Sequence, residues 1–180
     1  MKKIEKALKK LELINHWLSN CDTKCSMVLA FYSVVVTIIF STGIGSEMLK
    51  TFTYRYSNTC DFISIKLFIS LILSITFFFS VIITLIHIYK ALKGNININA
   101  HKEEKLNTNS NIFFKSIINK NFETFEYISN NETKSEFLND INSQVFINSK
   151  IVSYKFNHYN RSLFWALFTF IIFILFILMR

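Results

Sequence analysis

Three long apolar segments without a charged side chain constrain the fold of this chain more than any other feature. Residues 27–44 and 163–179 carry no charged side chain, and residues 67–89 carry one histidine and no charge. A helix needs about 20 apolar residues, within a range of roughly 17–25, to cross the hydrocarbon core of a bilayer. A helix buried in a soluble domain keeps a polar face, which these segments lack. Each segment therefore predicts a transmembrane helix.

The spacing of these segments predicts an all-α membrane protein with three transmembrane helices. The first and last helices are expected to be long and to extend into a cytoplasmic helical stalk, because no Gly or Pro interrupts residues 2–42 or 133–179. The predicted organisation is a cytoplasmic amphipathic helix at 1–25, transmembrane helix 1 at 26–45, an external loop at 46–66, transmembrane helix 2 at 67–89, a cytoplasmic linker with short helices at 90–132, and a cytoplasmic helix at 133–162 continuous with transmembrane helix 3 at 163–179.

The distribution of basic residues predicts the orientation in the membrane. Six Lys precede the first apolar segment, three basic residues lie between the first two, and ten lie between residues 90 and 161. Basic loops stay in the cytoplasm, so the N-terminus and the long segment 90–161 are expected inside. The net charge of +8 is attributed to this topology and to anionic lipid, because acidic residues interrupt the Lys residues and leave no nucleic-acid stripe.

The N-terminal segment has the apolar spacing of a helix that packs on another helix. Seven apolar or thiol side chains alternate at steps of three and four residues, which predicts a buried seam against a helix of the same chain or of a neighbouring copy. A separate polar stripe runs beside that seam, and Lys24 points away from it towards lipid headgroups. The seam comprises Ile4, Ala7, Leu11, Ile14, Leu18, Cys21 and Cys25, and the stripe comprises Asn15, Ser19, Asp22 and Ser26.

Small and hydroxyl residues form one stripe in each of the first two apolar segments. Such stripes allow close approach of membrane helices, so the two are candidates to face each other. The alternative is that each hydroxyl bonds a carbonyl of its own helix. The first stripe is Ala30, Ser33, Thr37 and Ser41, and the second is Thr76, Ser80 and Thr84.

The part of the chain after the second apolar segment carries two helix-start signals and no catalytic motif. Asn121 is expected to cap a short helix, and the sequence TKSE at residues 133–136 predicts a capping box that begins a helix of more than forty residues. No phosphate-binding glycine loop, nucleophile elbow or metalloprotease motif is found, so the chain is not expected to be an enzyme. Cys21 and Cys25 are interpreted as small packing residues rather than metal ligands.

Two stretches of sequence resemble a known family. INHWLSNCDTKCSMVLAF is similar to the pattern Asn-x-Trp followed by Ala-Asp-x-Lys-Ala-Ser and an apolar span, with Cys21 and Cys25 in place of small alanines. DINSQVFINSKIVSYKFNHYNRSLFWALF resembles a helix with Asn-Ser-x-Ile, a lysine and an aromatic residue before the last span. With NIFFKSI between them, this order resembles the transmembrane effector family of bacterial Pycsar anti-phage systems.

The resemblance implies a function and a set of partners. A partner cyclase would make cyclic CMP or cyclic UMP on phage infection, and the effector would respond by impairing the host membrane. The lipid bilayer, this nucleotide and further copies of the chain are the expected partners, and nucleic acid is not. A structural or signal-transducing membrane protein without a nucleotide ligand is the alternative.

Seven residues near the predicted membrane surface are candidates for the ligand site or the switch. Asp22 with Asn15, and Lys155 with Asn148, lie just before the first and third spans and meet if the end helices pack side by side. Lys155 and Tyr159 are one helical turn apart and can offer a cation and an aromatic face to a nucleotide. Tyr159 and Arg161 can instead be ordinary interface anchors. The seven candidates are Asn15, Asp22, Lys24, Asn148, Lys155, Tyr159 and Arg161.

Overall fold

The fold is built from helices throughout the part of the chain that can be described. A computed structural model describes residues 2–53, 62–93, 106–107 and 109–179, and these ranges contain no β-strand. The all-α class predicted from sequence is therefore confirmed. The helices are α1 at Lys2–Ser41, α2 at Ile44–Thr53, α3 at Phe62–Leu92, α4 at Phe114–Ile118, α5 at Phe122–Asn131 and α6 at Lys134–Met179.

Three of these helices are long and apolar enough to cross a membrane. They are α1, the stretch Ile65–Leu92 of α3, and α6. Both α1 and α6 continue from polar sequence into apolar sequence without a break. The three predicted spans are therefore confirmed as helices of sufficient length, and the chain is a membrane protein.

The segment expected as a loop after the first span differs from the prediction. Residues 46–53 belong to the ten-residue helix α2, which follows Gly43 at a φ of 80°. Glycine adopts this left-handed conformation without the steric cost that a Cβ brings. Met48 of α2 is fully buried, so the helix forms because one of its faces packs into the core. Residues 54–61 of the predicted loop lie outside the described residues.

The chain divides into two compact units, and the first combines residues 1–22 with residues 94–155. Its core contains Ala7, Leu11 and Ile141, against which Ile4 and Val145 pack. The N-terminal seam is thus buried against α6 of the same chain, as one of the two predicted arrangements requires. Ile14 and Leu18 of the seam are half-buried, and the Cys21 thiol is fully buried.

Both predicted helix starts in this unit are confirmed. Asn121 caps α5, because its side chain accepts a hydrogen bond of 2.8 Å from the Thr124 amide. Thr133 and Glu136 form the capping box of α6. The Glu136 carboxylate accepts from the Thr133 amide at 2.8 Å, and the Thr133 hydroxyl accepts from the Glu136 amide at 3.3 Å. These contacts satisfy amides that have no partner inside the helix.

The second unit combines residues 23–93 with residues 156–180 and contains the apolar spans. Its core comprises Ile39 of α1, Met48 of α2, Phe77 of α3, and Ile172 and Phe176 of α6. Aromatic contacts reinforce it, for example between the Phe77 and Phe173 rings at a centroid distance of 6.3 Å. α1, α3 and α6 each contribute to this core and therefore pack together in the membrane.

Of the two interpretations of the hydroxyl stripes, the one in which the stripes face each other is wrong, and the one in which hydroxyls bond carbonyls of their own helix is confirmed for Ser33, Thr37, Ser80 and Thr84. Ser33 and Thr37 of the first stripe are exposed and donate to carbonyls of their own helix, at 2.7 and 2.8 Å. Ser80 and Thr84 of the second stripe are fully buried. A hydroxyl that bonds its own backbone needs no partner helix, so the first stripe can face lipid.

Candidate functional site

An ion pair joins the two end helices where the first unit ends. The Lys155 ammonium on α6 donates to Oδ1 of Asp22 on α1 over 2.5 Å. Asp22 and Lys155 are the last residues of the unit on their helices. The structure therefore brings together the acid and the lysine that the sequence places just before the first and third spans.

A second polar contact repeats this pairing one heptad earlier. The Asn148 side-chain amide on α6 donates to Oδ1 of Asn15 on α1 over 2.9 Å. Both contacts join residues separated by the same 133 positions in sequence. Equal offsets require that the two helices run parallel here and keep one register over two turns. Asn15, Asp22, Asn148 and Lys155 thus form one polar ladder, called the register ladder below.

The two charges of the register ladder are not equally buried. Only 5% of the Lys155 side chain is exposed, against 46% of the Asp22 side chain. A lysine can lie this deep because its four-carbon stem packs among apolar neighbours while its ammonium reaches a carboxylate. Burial costs an ammonium several kcal/mol of hydration, in order of magnitude, unless a partner compensates it. Asp22 is therefore the group that permits a charged Lys155 at this position.

The other three predicted site residues do not join the register ladder. Lys24 is exposed, and its ammonium lies 5.7 Å from the centroid of the Phe156 ring. Tyr159 is half-buried, and its ring contacts Phe156 edge to face at 6.3 Å. Arg161 is exposed. The Lys155 ammonium, in contrast, is buried against Asp22 and is not presented to solvent.

A buried carboxylate in the first unit was not anticipated from the sequence. Asp140 of α6 is fully buried, and its Oδ2 accepts from the Ser110 hydroxyl at 3.0 Å and from the Asn111 amide at 2.8 Å. Ser110 in turn accepts from the amides of Ile112 and Phe113, both at 3.0 Å. Asp140 therefore holds the turn before α4 against α6. Asp140 lies three residues after Phe137 and directly before Ile141 of the core. An acid so close to the apolar residues of the α6 heptads could have signalled this contact.

The charge of Asp140 also acts on a second acid of this region. Burial raises the pKa of Glu132, and the nearby Asp140 carboxylate raises it further. Lys120 lies close by, where its ammonium donates to the Asn111 side chain and, at 3.3 Å, to the Ser110 carbonyl. This network joins Lys120, which follows α4, to the turn that precedes α4. In the described part of the chain, no group of three or more His, Cys, Asp or Glu side chains has the arrangement of a metal site.

A chain of hydroxyl groups links the three spans inside the second unit. The Tyr32 hydroxyl of α1 donates to the Thr169 hydroxyl of α6 at 3.2 Å. The Thr169 hydroxyl lies 2.9 Å from that of Ser80 on α3 and 2.8 Å from the Trp165 carbonyl. Ser80 donates to the Phe77 carbonyl of its own helix at 2.8 Å. The second hydroxyl stripe therefore meets α6, and not the stripe of the first span.

Comparison with known proteins matches nearly the whole chain to one family. Residues 6–180 match the model described as a Pycsar effector protein domain. The Pycsar effector protein GmPycTM from Gulbenkiania mobilis is 36% identical over 182 aligned residues, which cover 95% of this chain and 89% of that protein. No solved structure matches the chain significantly. The chain belongs to the Pycsar effector protein family and is a transmembrane effector of anti-phage defence.

Proposed function

We propose that a cyclic pyrimidine nucleotide, cyclic CMP or cyclic UMP, activates this effector and that the active state impairs the integrity of the inner membrane. A partner cyclase supplies the nucleotide on phage infection, and the infected cell stops growing before phage mature. The observation that carries this proposal is the family relationship over residues 6–180. The effector acts without catalysis, as an assembly of several copies, and needs no nucleic acid.

The register ladder is the proposed switch. A buried ammonium that depends on one carboxylate gives a helix pair a single favourable register, because any slip separates the charges. Asn15 and Asn148 add a second contact at the same offset. In this proposal the ladder holds the resting state, and activation changes the register of α1 against α6 before the membrane is affected.

The orientation of the chain is part of the same proposal. The nucleotide is made in the cytoplasm, so the polar parts of α1 and α6 must lie on that side of the membrane. Reporter fusions after Asn58 are expected to report the outside, and fusions after Asn109 the inside. The opposite pattern would place the register ladder away from the nucleotide and would refute the proposed activation.

Co-expression with a pyrimidine cyclase tests the activation. Cells that express the effector with an active cyclase are infected with phage, and a membrane-potential dye reports depolarisation. An inactive cyclase and the effector alone are the controls. Depolarisation only with the active cyclase supports the proposal. No response, or an equal response in all three strains, indicates instead a membrane protein without a nucleotide ligand.

A matched pair of acid-to-amide variants tests the switch in the same cells. Asp22→Asn removes the charge that Lys155 needs, and Glu12→Gln removes one charge from an exposed position of the same helix. We expect the first variant to lose cyclase-dependent depolarisation and the second to keep it. Equal behaviour of the two variants would refute the switch while leaving nucleotide activation intact.

A further inference from the structure

The short helix α5 exposes a surface that the rest of its unit does not cover. None of its residues is buried, and Phe125 and Ile128 are half-buried on one side of the helix. On the opposite side, the Phe122 and Tyr127 side chains are 74% and 71% exposed. α5 lies outside the three apolar segments, so membrane hydrocarbon does not account for this exposure. Aromatic side chains exposed to this extent indicate a surface that another molecule covers.

Two carboxylates lie beside these aromatic rings. Phe122 and Glu126 are one helical turn apart, and Glu123 and Tyr127 form the neighbouring row on the same side of α5. Both Glu side chains are exposed, and no basic residue occurs in α5. These four residues are called the acidic face of α5 below. An anionic bilayer surface repels such a face, so its chemistry favours a basic protein surface with an apolar side chain.

The beginning of α1 has the complementary composition. Lys2, Lys6, Lys9 and Leu13 follow one another at steps of four, three and four residues, and therefore share one face of the helix, called the basic face of α1 below. The three Lys side chains are exposed, and Leu13 is 57% exposed. Lys9 lies 3.9 Å from Glu5, but this pair is exposed and leaves the ammonium in contact with water. Residues 2–13 extend over about 17 Å and α5 over about 15 Å, so the two helices match in length.

We propose that the acidic face of α5 binds the basic face of α1 from a second copy of the chain. Both faces belong to the first unit, and both are exposed in the single chain, so neither covers the other. Opposite charges orient such a contact, and the aromatic rings beside Leu13 form its apolar centre. Because the contact joins different surfaces, each copy of a pair keeps one face for a further neighbour. The contact rests on the proposed assembly of several copies, but not on the nucleotide.

Photo-crosslinking between two differently tagged copies of the full chain tests the contact. One copy carries benzoylphenylalanine in place of Phe122, and both copies are expressed together in cells with and without an active cyclase. We expect a two-chain adduct whose crosslinked peptide lies within residues 2–13 of the second copy. Benzoylphenylalanine in place of Thr124, an exposed residue about 200° around the same helix, is the control and is expected to give little of this adduct.

The crosslinked molecule and the copurification of the two tags distinguish the other outcomes. Adducts from position 122 with lipid, with α5 of the second copy or with an unrelated protein, and none with residues 2–13, would overturn the proposal. If the tags still copurify, the copies assemble through another surface and the proposed function stands. If they do not copurify with or without the cyclase, the proposed assembly fails as well.

Charge reversal in two different copies tests whether the charges meet. Glu123→Lys with Glu126→Lys in the photoreactive copy should lower the yield of the adduct about tenfold, because like charges then face each other. Lys6→Glu with Lys9→Glu in the second copy should restore the yield, since the attraction returns with its sign exchanged. An unchanged yield after the first pair of substitutions, or no recovery after the second, would overturn the proposal.

Discussion

The Lys155 ammonium is the deeply buried partner of its ion pair, and the Asp22 carboxylate that it contacts at 2.5 Å is nearly half exposed. The two partners therefore do not have equal energetic roles. Loss of the acid leaves a buried charge without compensation, whereas loss of the lysine leaves an acid that water can reach. Substitutions of the two residues can therefore have the same effect on function and different effects on the stability of the helix pair.

Replacement of either charged partner is expected to abolish protection against phage with different effects on stability. Asp22→Asn should lower the free energy of unfolding by roughly 3 kcal/mol, near the lower end for breaking a buried pair. Lys155→Met should change it by less than about 1 kcal/mol, because an apolar side chain suits the buried position and Asp22 stays hydrated. Plaque assays and unfolding in neutral detergent measure the two quantities.

The charge exchange Asp22→Lys with Lys155→Asp serves as the matched control for this pair. Partial return of protection would show that the attraction matters and not the identity of each side chain. Wild-type protection and stability in Asp22→Asn would contradict the prediction, and the register ladder would then be a simple membrane-edge cap.

Charges on the N-terminal seam are expected to abolish effector function without preventing membrane insertion. The double variant Leu11→Lys with Leu18→Lys places two ammonium groups on the face of α1 that contacts α6. Leu8→Lys with Leu13→Lys places the same charges on exposed positions, 44% and 57% accessible. Membrane fractionation and phage protection are measured for both. Equal loss of protection in the control would show that the outer face of α1 is as important as the seam.

Removal of the buried Asp140 carboxylate is expected to loosen the turn before α4. Asp140→Ala leaves the Ser110 hydroxyl and the Asn111 amide without the acceptor that they contact. Such a loss costs about 1–3 kcal/mol of unfolding free energy. Asn139→Ala changes an exposed neighbour on α6 and should cost less than about 0.5 kcal/mol. Thermal unfolding and hydrogen exchange of the Asn111 amide report the effect, and unchanged exchange in Asp140→Ala would contradict it.

The Thr169 hydroxyl is expected to contribute measurably to packing of the three spans. Thr169→Val keeps the shape of the side chain and removes the acceptor of Tyr32 and the contact with Ser80. Hydrogen bonds between membrane helices average about 0.6 kcal/mol and reach about 1.7 kcal/mol. Thr37→Val removes an exposed hydroxyl that bonds only the Ser33 carbonyl, and is the control. Equal unfolding free energies of the two variants would show that the hydroxyl chain adds nothing.

Acid is expected to weaken the start of α6 through Glu136. Hydrogen bonds from the Thr133 amide and hydroxyl lower the pKa of this carboxylate. The folded state therefore binds its proton less readily than the unfolded state does. Stabilisation is complete above the unfolded pKa and is lost as the pH falls through the folded value. Hydrogen exchange of the first-turn amides should accelerate over that range in the natural sequence and not in Glu136→Gln. Identical pH profiles would contradict the prediction.

The positions of the long helices and of the register ladder could be predicted from the sequence because they depend on local periodicity. The seam, the caps at Asn121 and Thr133 and the unbroken α6 follow from spacing and from the absence of Gly and Pro. The meeting of Asp22 with Lys155 needed one further assumption, that the end helices pack side by side. Parallel packing then fixes the remaining pair, Asn15 with Asn148, by the common offset.

Contacts between distant segments could not be predicted from the sequence where a residue type is equally stable in two environments. Ser33 and Thr37 can face lipid or another helix, because a carbonyl of their own helix satisfies them in both cases. His87 contacts His158, which lies 71 positions away, outside any periodic pattern. The helix α2 lies in a segment predicted as a loop. Ten residues with a single fully buried apolar side chain give only a weak periodic pattern of a helix.

The equal spacing of the two ladder contacts has a mechanical consequence. Translation of α1 along α6 breaks both contacts at once, and the next position that pairs polar groups again lies a heptad away, about 10.5 Å along the axis. A shift in one direction would bring Asp22 opposite Asn148, and a shift in the other would bring Asn15 opposite Lys155. In both cases the lysine would have lost its counter-charge. Sliding is therefore not a graded motion for this helix pair. The helix pair has one register in which the two charges meet, and the registers one heptad away pair polar groups only.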